Sequence, residues 1–185
     1  MTAEAKFKYA LIEMMKEKPL EDINVTALCE RCGYHRQTFY YHFQDIYDLL
    51  AAILLNEKTP ELDQTTEVKG ALLSLVDYAS NRFAFLKAAY NSSAHDLVED
   101  FFFNKAMTKI YSIISKKNQD GLTKDGYRKI ARRYAKMVGD EFGFNFRDKN
   151  ITPQKFERAM KKFLISSLET VYPALVKLAK EEKKK

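Results

Sequence analysis

Apolar residues recur with helical three-and-four spacing along nearly the whole chain. Phe7, Ala10, Leu11 and Met14 stand at i, i+3, i+4 and i+7 within residues 3–16 and predict a first amphipathic helix, which Pro19 ends. Two short helical patterns follow, separated by Gly33. The first starts at Asn24, a residue whose side chain can accept from an otherwise unpaired backbone N–H. Ile23 and Leu28 fall at the flanking positions of a hydrophobic staple. Gly33 stands where that helix must stop. The next helix is expected at residues 36–42, with Phe39 and Phe43 facing inward. Asp45 can cap a fourth helix running to about residue 56, with Leu49, Leu50, Ile53 and Leu54 inward.

Residues 58–66 (KTPELDQTT) contain Pro and few apolar positions and read as a linker. Further helices are expected through Val68, Leu72, Leu75, Val76 and Ala79, and through Phe83, Leu86 and Tyr90. The run 91–93 (Asn-Ser-Ser) breaks the second of these. The pattern continues over residues 94–117, turns at 118–122 around Gly121, and resumes over 125–146, where Gly139 and Gly143 weaken it. Thr152-Pro153 marks a restart, a cap followed by Pro in the first turn. The last helix presents Phe156, Met160, Phe163, Leu164, Ser167, Leu168, Val171 and Leu175 along one face, and Pro173 should kink or end it. Residues 180–185 read as a charged, frayed tail. No internal repeat or sustained heptad pattern is present.

The stretch 24–50, NVTALCERCGYHRQTFYYHFQDIYDLL, is the most specific in the chain. A short second helix after a tight turn is what a helix-turn-helix needs, because its exposed side chains must reach base edges in the major groove. Asn24, Val25, Leu28, Cys29, Cys32, Gly33, Thr38, Phe39, Tyr40, His42 and Phe43, followed by Leu49 and Leu50, match the TetR family without a gap. Here the sequence resembles those bacterial transcriptional regulators, and RQTFYYHF with Tyr47 and Leu50 looks most like regulators of dihydroxyacetone kinase operons. The resemblance is specific over the first quarter of the chain. Two positions depart from it. Ile46 stands where the family commonly has a lysine that meets a DNA phosphate, and Gln37 replaces the usual Gly at the second position of the short helix.

Composition narrows the remaining choices. A chain of 185 residues, 46% hydrophobic, with six Gly and four Pro, suits a helical globular protein rather than a loop-rich β architecture. No apolar run approaches the ~18–20 residues of a membrane span. The N-terminus reads as an amphipathic helix rather than a signal peptide. Two cysteines without an export signal suit a reducing cytoplasm. The net charge of +6 is unevenly spread: residues 1–45 hold six Lys/Arg and seven Asp/Glu, residues 46–115 six and nine, and residues 116–185 nineteen and nine. The basic surplus thus lies away from the helix-turn-helix and reads as a solvated helix face, since a reading head can use hydroxyls, amides and backbone N–H groups on phosphates.

The pair Cys29-x-x-Cys32 lacks the second Cys or His pair of a zinc site and reads as core packing. No nucleophile–base spacing surrounds His35 or His42, and no phosphate-cradling glycine loop occurs, so no catalytic residue, cofactor or metal is expected. The aromatic supply, thirteen Phe and eleven Tyr, concentrates in the middle third. Phe83, Tyr90, His95, Phe101 and Phe102 are candidates for an effector pocket, weighed against the reading that they are ordinary core.

These readings give an all-α protein: residues 1–45 a three-helix helix-turn-helix DNA-binding domain, residues 46–185 a helical effector-binding and dimerisation domain. The expected DNA-binding residues are Thr26, His35, Arg36, Gln37, Thr38, Tyr40, Tyr41 and His42. The resemblance implies a cytoplasmic homodimer on double-stranded operator DNA, with no membrane partner, acting as a ligand-responsive repressor. One alternative is an activator controlled by a protein coactivator in place of a small-molecule effector. Another is a helical enzyme or scaffold using the basic C-terminal surface, which would need clustered ionisable residues that the sequence does not offer.

Overall fold

The computed structural model describes residues 1–118 and 121–182. The described residues form ten α-helices and no strand. They are α1 (Ala3–Glu17), α2 (Val25–Cys32), α3 (Arg36–His42), α4 (Ile46–Leu55), α5 (Pro60–Gln64), α6 (Val68–Asn81), α7 (Phe83–Tyr90), α8 (His95–Lys117), α9 (Lys124–Arg147) and α10 (Pro153–Glu182). A 3₁₀ turn, Leu20–Asp22, follows α1. No described helix is long and apolar enough to cross a membrane.

The chain divides into two compact units. The first comprises Met1–Lys58 and Arg82–Val98. In it α1 packs against α2, α3, α4 and α7. The expected boundary at residue 45 falls inside this unit. The second comprises Thr59–Asn81 and Glu99–Lys185, with α10 packed on α9 and α6, and α5 on α6.

Caps set the helix ends as the sequence leads one to expect. Asn24 Oδ1 accepts from Ala27 N at 2.9 Å, and Asp45 Oδ1 accepts from Asp48 N at 2.8 Å. Thr152 Oγ1 accepts from Lys155 N, and Thr123, which the sequence reading did not single out, caps α9 by accepting from Gly126 N. Each satisfies an N–H that the first turn cannot pair internally.

Three expectations need correction. The stretch read as a linker at 58–66 contains α5, because Pro60 occupies a first-turn position where its missing N–H costs nothing, and Leu62 is buried. Of the two outcomes expected of Pro173, a kink or an end, the end does not occur: α10 continues to Glu182. Both Pro173 and Glu169, whose carbonyl loses its helical donor, are exposed, so water can satisfy the freed acceptor. The apolar face of α10 is also divided. Phe156, Met160, Leu164 and Ser167 are buried, while Phe163, Leu168, Val171 and Leu175 remain half-buried. The expected turn at 118–122 is described at Asn118 and Gly121, both with positive φ (46° and 61°), while residues 119 and 120 lie outside the described residues. Of the expected tail, 180–182 is helical and 183–185 lies outside the described residues.

Within α9 the glycines do not interrupt the helix. Gly139 and Gly143 are both buried, on the face that packs inward. A methyl group at Gly139 would meet Phe103 N at 3.8 Å and Phe103 Cβ at 4.0 Å, ordinary van der Waals contact. Gly139→Ala should therefore stabilise the protein by about 0.5–1 kcal/mol through helix propensity alone. Urea unfolding followed by circular dichroism would show it as a higher midpoint with unchanged slope. A lower midpoint would mean that α8 and α9 approach more closely than described.

Candidate nucleic-acid interface

A helix of seven residues cannot hold itself together in water, so the placement of α3 rests on what lies beneath it. Phe39 is fully buried and Phe43 nearly so. Phe7 of α1 meets Phe39 edge-on, with centroids 5.4 Å apart and planes at 87°, and meets Phe43 at 6.5 Å and 88°. Phe39 and Phe43 lie 5.7 Å apart, and Tyr34 closes the cluster 5.4 Å from Phe7. Gly33 brings the chain into α3 at φ 70°, where its N–H reaches Glu30 O and the N–H of Tyr34 reaches Cys29 O. Nothing lies within 4 Å of where a Cβ would stand at Gly33, so the requirement for glycine there comes from φ and not from space.

With Phe39 inward, the rest of α3 faces out. His35, Arg36, Gln37, Tyr40, Tyr41 and His42 are exposed, Tyr40 at 50% and Tyr41 at 84%, while Thr38 is half-buried. The guanidinium of Arg36 donates to the Tyr40 hydroxyl at 3.3 Å, and its Cζ lies 5.8 Å from the centre of that ring. Tyr41 and His42 meet edge-on at 5.0 Å. Thr26 on α2 is exposed and, with Arg36 and Tyr40, lines an open cleft of about 400 Å³ that Asn24, Ile46 and Tyr47 also border. Thus Thr26, Arg36 and Tyr40 converge, whereas His35, Gln37, Thr38, Tyr41 and His42 stand elsewhere along α3.

Ile46 is the first residue of α4 and is only 6% exposed. Its side chain is part of the packing, not a substitute for a charged phosphate contact. The start of α4 is held by other means. The Asp48 carboxylate accepts from Gln44 N at 2.9 Å, and the Tyr47 hydroxyl lies 2.8 Å from Ser93 Oγ. Ser93, in the turn after α7, donates to Glu21 Oε1 from both its backbone N (2.8 Å) and its hydroxyl (3.1 Å). The Ser93 backbone N–H is the main reason that the Glu21 carboxyl titrates below the usual carboxylate range. Sequence reading missed this Glu21–Ser93–Tyr47 network, and no local signal could reveal it, since 72 positions separate Glu21 from Ser93.

Cys29 is buried and Cys32 half-buried, its thiol 3.6 Å from Lys6 O. Burial pushes both thiols up, which disfavours the thiolate needed for a metal or redox role.

The candidate effector residues are placed as follows. Phe83 and Tyr90 are buried in the first unit, and His95, half exposed, lies 6.4 Å from the Tyr90 ring with Nε2 3.0 Å from Asp96 Oδ1. Phe101 and Phe102 are buried in the second unit. There Phe101 packs on Tyr78 at 5.3 Å, and Phe102 stacks on Phe142 at 4.0 Å with planes 12° apart.

The profile of the bacterial regulatory proteins of the tetR family matches residues 10–53, which span the end of α1, α2, α3 and most of α4. No curated protein sequence matches the chain. Among solved structures, the dihydroxyacetone kinase operon activator DhaS is 20% identical over 90% of this chain and 96% of its own, with a TM-score of 0.67. The TetR family repressor AlkX from Dietzia sp. strain DQ12-45-1b, implicated in biodegradation of n-alkanes, is 15% identical over 95% of this chain and 96% of its own, with a TM-score of 0.56. At these identities the likeness is one of fold. The tetR-family match thus covers the helix-turn-helix segment alone, and the whole all-α chain shares its fold with these two solved regulators.

Proposed function

We propose that the protein acts as a homodimer that places one α3 in each of two successive major grooves of a pseudo-palindromic operator. Residues 1–45 supply the DNA-reading elements, and residues 46–185 supply dimerisation and effector response. Arg36, Gln37, Thr38, Tyr40 and Tyr41 form the DNA-facing surface, with Arg36 or Gln37 reading base edges, while Thr26 and His42 contact or orient toward phosphate and His35 stands at the start of the same helix. The observation that carries this reading is the outward face of α3, with Arg36 held by Tyr40 beside exposed Tyr41. A ligand with different affinities for two states of the dimer would then control operator binding.

The dimer is supported by an apolar patch on the outer side of α9 and α10. Phe144 is 71% exposed, an unusual setting for a phenylalanine on a regular helix. Met137 and Phe163 border the same shallow groove, with Arg133, Lys136 and Arg147 alongside Asp140 and Glu141 on its rim. A two-fold axis brings a patch against itself, so a rim carrying both signs can set cations of one copy opposite acids of the other. Four helices, two from each copy, would complete a bundle.

Repression by a small-molecule effector is the first reading of regulation. Activation through a protein coactivator is the second, and the fold likeness to an operon activator supports carrying it alongside the likeness to a repressor. Selecting bound fragments from a genomic library, then placing the operator relative to the promoter, separates the two. Overlap with the promoter favours repression, and a site upstream favours activation.

Arg36→Ala should weaken operator binding and relax preference at one base position, given that a bidentate base contact is worth ~1–3 kcal/mol of discrimination. Tyr40→Phe should weaken all sequences alike. Titrations of operator and single-base variants by fluorescence anisotropy would test both, and unchanged binding by both variants removes the assignment.

The salt dependence should be shallow. Residues 1–45 carry six Lys/Arg against seven Asp/Glu, and Ile46 is buried, so few phosphates can be neutralised by lysine or arginine. The slope of log affinity against log salt is ~0.9 per neutralised phosphate. A slope implying many such contacts per head would mean that the basic C-terminal segment touches DNA.

Phe144→Glu should leave helix content intact, since the ring is mostly exposed, yet convert the dimer to monomer in sedimentation velocity and lower operator affinity at least tenfold. A wild-type protein that sediments as a folded monomer at micromolar concentration would overturn the dimer and the two-headed operator model with it.

A further inference from the structure

We infer that the second unit carries a binding site for an amphipathic carboxylate, at an open cleft of about 320 Å³ between the start of α6, the end of α8 and the middle of α10. This deepens the effector reading above by giving the ligand a place and a chemical class, and it rests on that reading only for its regulatory consequence.

Three helices supply the floor. Val68 comes from α6, Ile113 and Ile114 from α8, and Leu168 and Tyr172 from α10. Ile113 and Ile114 are each 6% exposed, and Leu168 and Tyr172 are half-buried, so hydrocarbon surface remains open to the cleft. The Tyr172 ring is set by the buried Tyr134, which meets it edge-on at 5.8 Å, and Tyr134 is itself tied to Ser167 by a 2.6 Å hydrogen bond. This wall is pre-formed, which lowers the ordering cost of binding.

The rim supplies the sign. Glu67, Lys69 and Lys117 border the cleft. Lys117 Nζ lies 2.7 Å from Glu67 Oε1 and holds that carboxyl below its ordinary value, so this pair is internally neutralised. Lys69 is exposed and has no carboxylate partner among the described residues. The rim therefore carries one uncompensated positive charge beside an apolar floor. That combination fits a single anionic group on a hydrocarbon body. A cationic amphiphile would meet the uncompensated ammonium of Lys69, and a small polar dianion would leave the floor wet. The volume lies at the lower end of the ~300–1,000 Å³ typical of ligand pockets, which suits a medium-length chain rather than a polycyclic body.

The cleft and the proposed dimer patch lie on different sides of α10. Phe163 and Tyr172 are nine residues apart, which places them ~180° apart around the helix. A ligand here would not compete with a second copy at Phe144 and Phe163. It would instead tie α6, α8 and α10 together.

The test uses the full chain with decanoate as the probe, by isothermal titration calorimetry. One saturable site per chain is expected, with Lys69→Met weakening binding at least tenfold and Tyr172→Ala also weakening it. Circular dichroism checks that both variants are folded. Decylamine, with the same hydrocarbon body and the opposite charge, should not bind measurably. Absence of saturable decanoate binding, equal binding by Lys69→Met, or equally tight decylamine would each overturn the site. Operator affinity measured with and without saturating decanoate keeps the two ideas apart. Saturable, Lys69-dependent binding without a change in operator affinity supports the site and removes its effector role, while loss of the site leaves a different effector possible elsewhere.

Discussion

The reading head depends on one packing fact, the burial of Phe39 and Phe43 against Phe7. Isolated helices shorter than ~12–15 residues are marginal in water, and α3 has seven. Full burial of a phenylalanine contributes ~1.5–3 kcal/mol, and edge-on pairing with another ring adds ~0.5–1.5 kcal/mol. Those terms are large enough to hold α3 where its own hydrogen bonds are not. They also settle its rotation. Once position 39 points under α1, positions 36, 37, 40 and 41 must point away from the core, and the 84% exposure of Tyr41 follows. Exposed hydroxyls and amides at these positions are thus a consequence of the core beneath them.

The same logic changes how the start of α4 is understood. A buried Ile46 adds to the apolar packing and takes away a charge that could have met a phosphate. Orientation of α4 then falls to the Asp45 cap, to Asp48 on Gln44, and to the hydroxyls of Tyr47 and Ser93 around Glu21. Each such hydrogen bond contributes only ~0.5–1.5 kcal/mol, but together they fix direction, which burial of one isoleucine does not. In the proposed reading, Arg36 and uncharged donors would carry the affinity for DNA, and the low formal charge of residues 1–45 is compatible with that reading.

Local chemistry was legible in the sequence, and non-local chemistry was not. Asn24, Asp45 and Thr152 each bond a backbone N–H three positions ahead, so a short window contains all that their role requires. The range of α3 and the inward pair Phe39/Phe43 were readable for the same reason. Residues 58–66 misled because one buried apolar side chain, Leu62, is too few to show a period, although Pro60 was itself a start signal. Pro173 alone could not say whether α10 would end there, because its cost depends on whether water reaches the carbonyl at Glu169, and exposure is a property of the fold. Nor could periodicity say which apolar positions of α10 would be covered. Phe163 and Leu164 are adjacent, yet only Leu164 is buried. The Ser93 network spans separations that no window contains.

Charge shows the same limit from another side. The segment 116–185 holds nineteen basic and nine acidic residues and would by count be the polyanion binder. In the fold many of its cations stand beside acids: Lys129 and Arg133 near Glu182, Lys136 near Asp140, Arg147 near Glu99, and Lys161 between Asp77 and Glu157. Exposed pairs of this kind contribute ~0–1 kcal/mol to stability, but they divide a segment-wide surplus into small neutral sets. Lys69 presents the opposite case. It belongs to the segment 46–115, where acids outnumber bases nine to six, and yet it leaves a local positive charge over an apolar floor. What a ligand meets is the sum over a few ångströms and not over a stretch of sequence, because physiological salt largely screens interactions between exposed charges more than about 8 Å apart. Partner chemistry in this protein is therefore set residue by residue, where the helices bring a cation, a hydroxyl or a ring to a surface that its neighbours leave open.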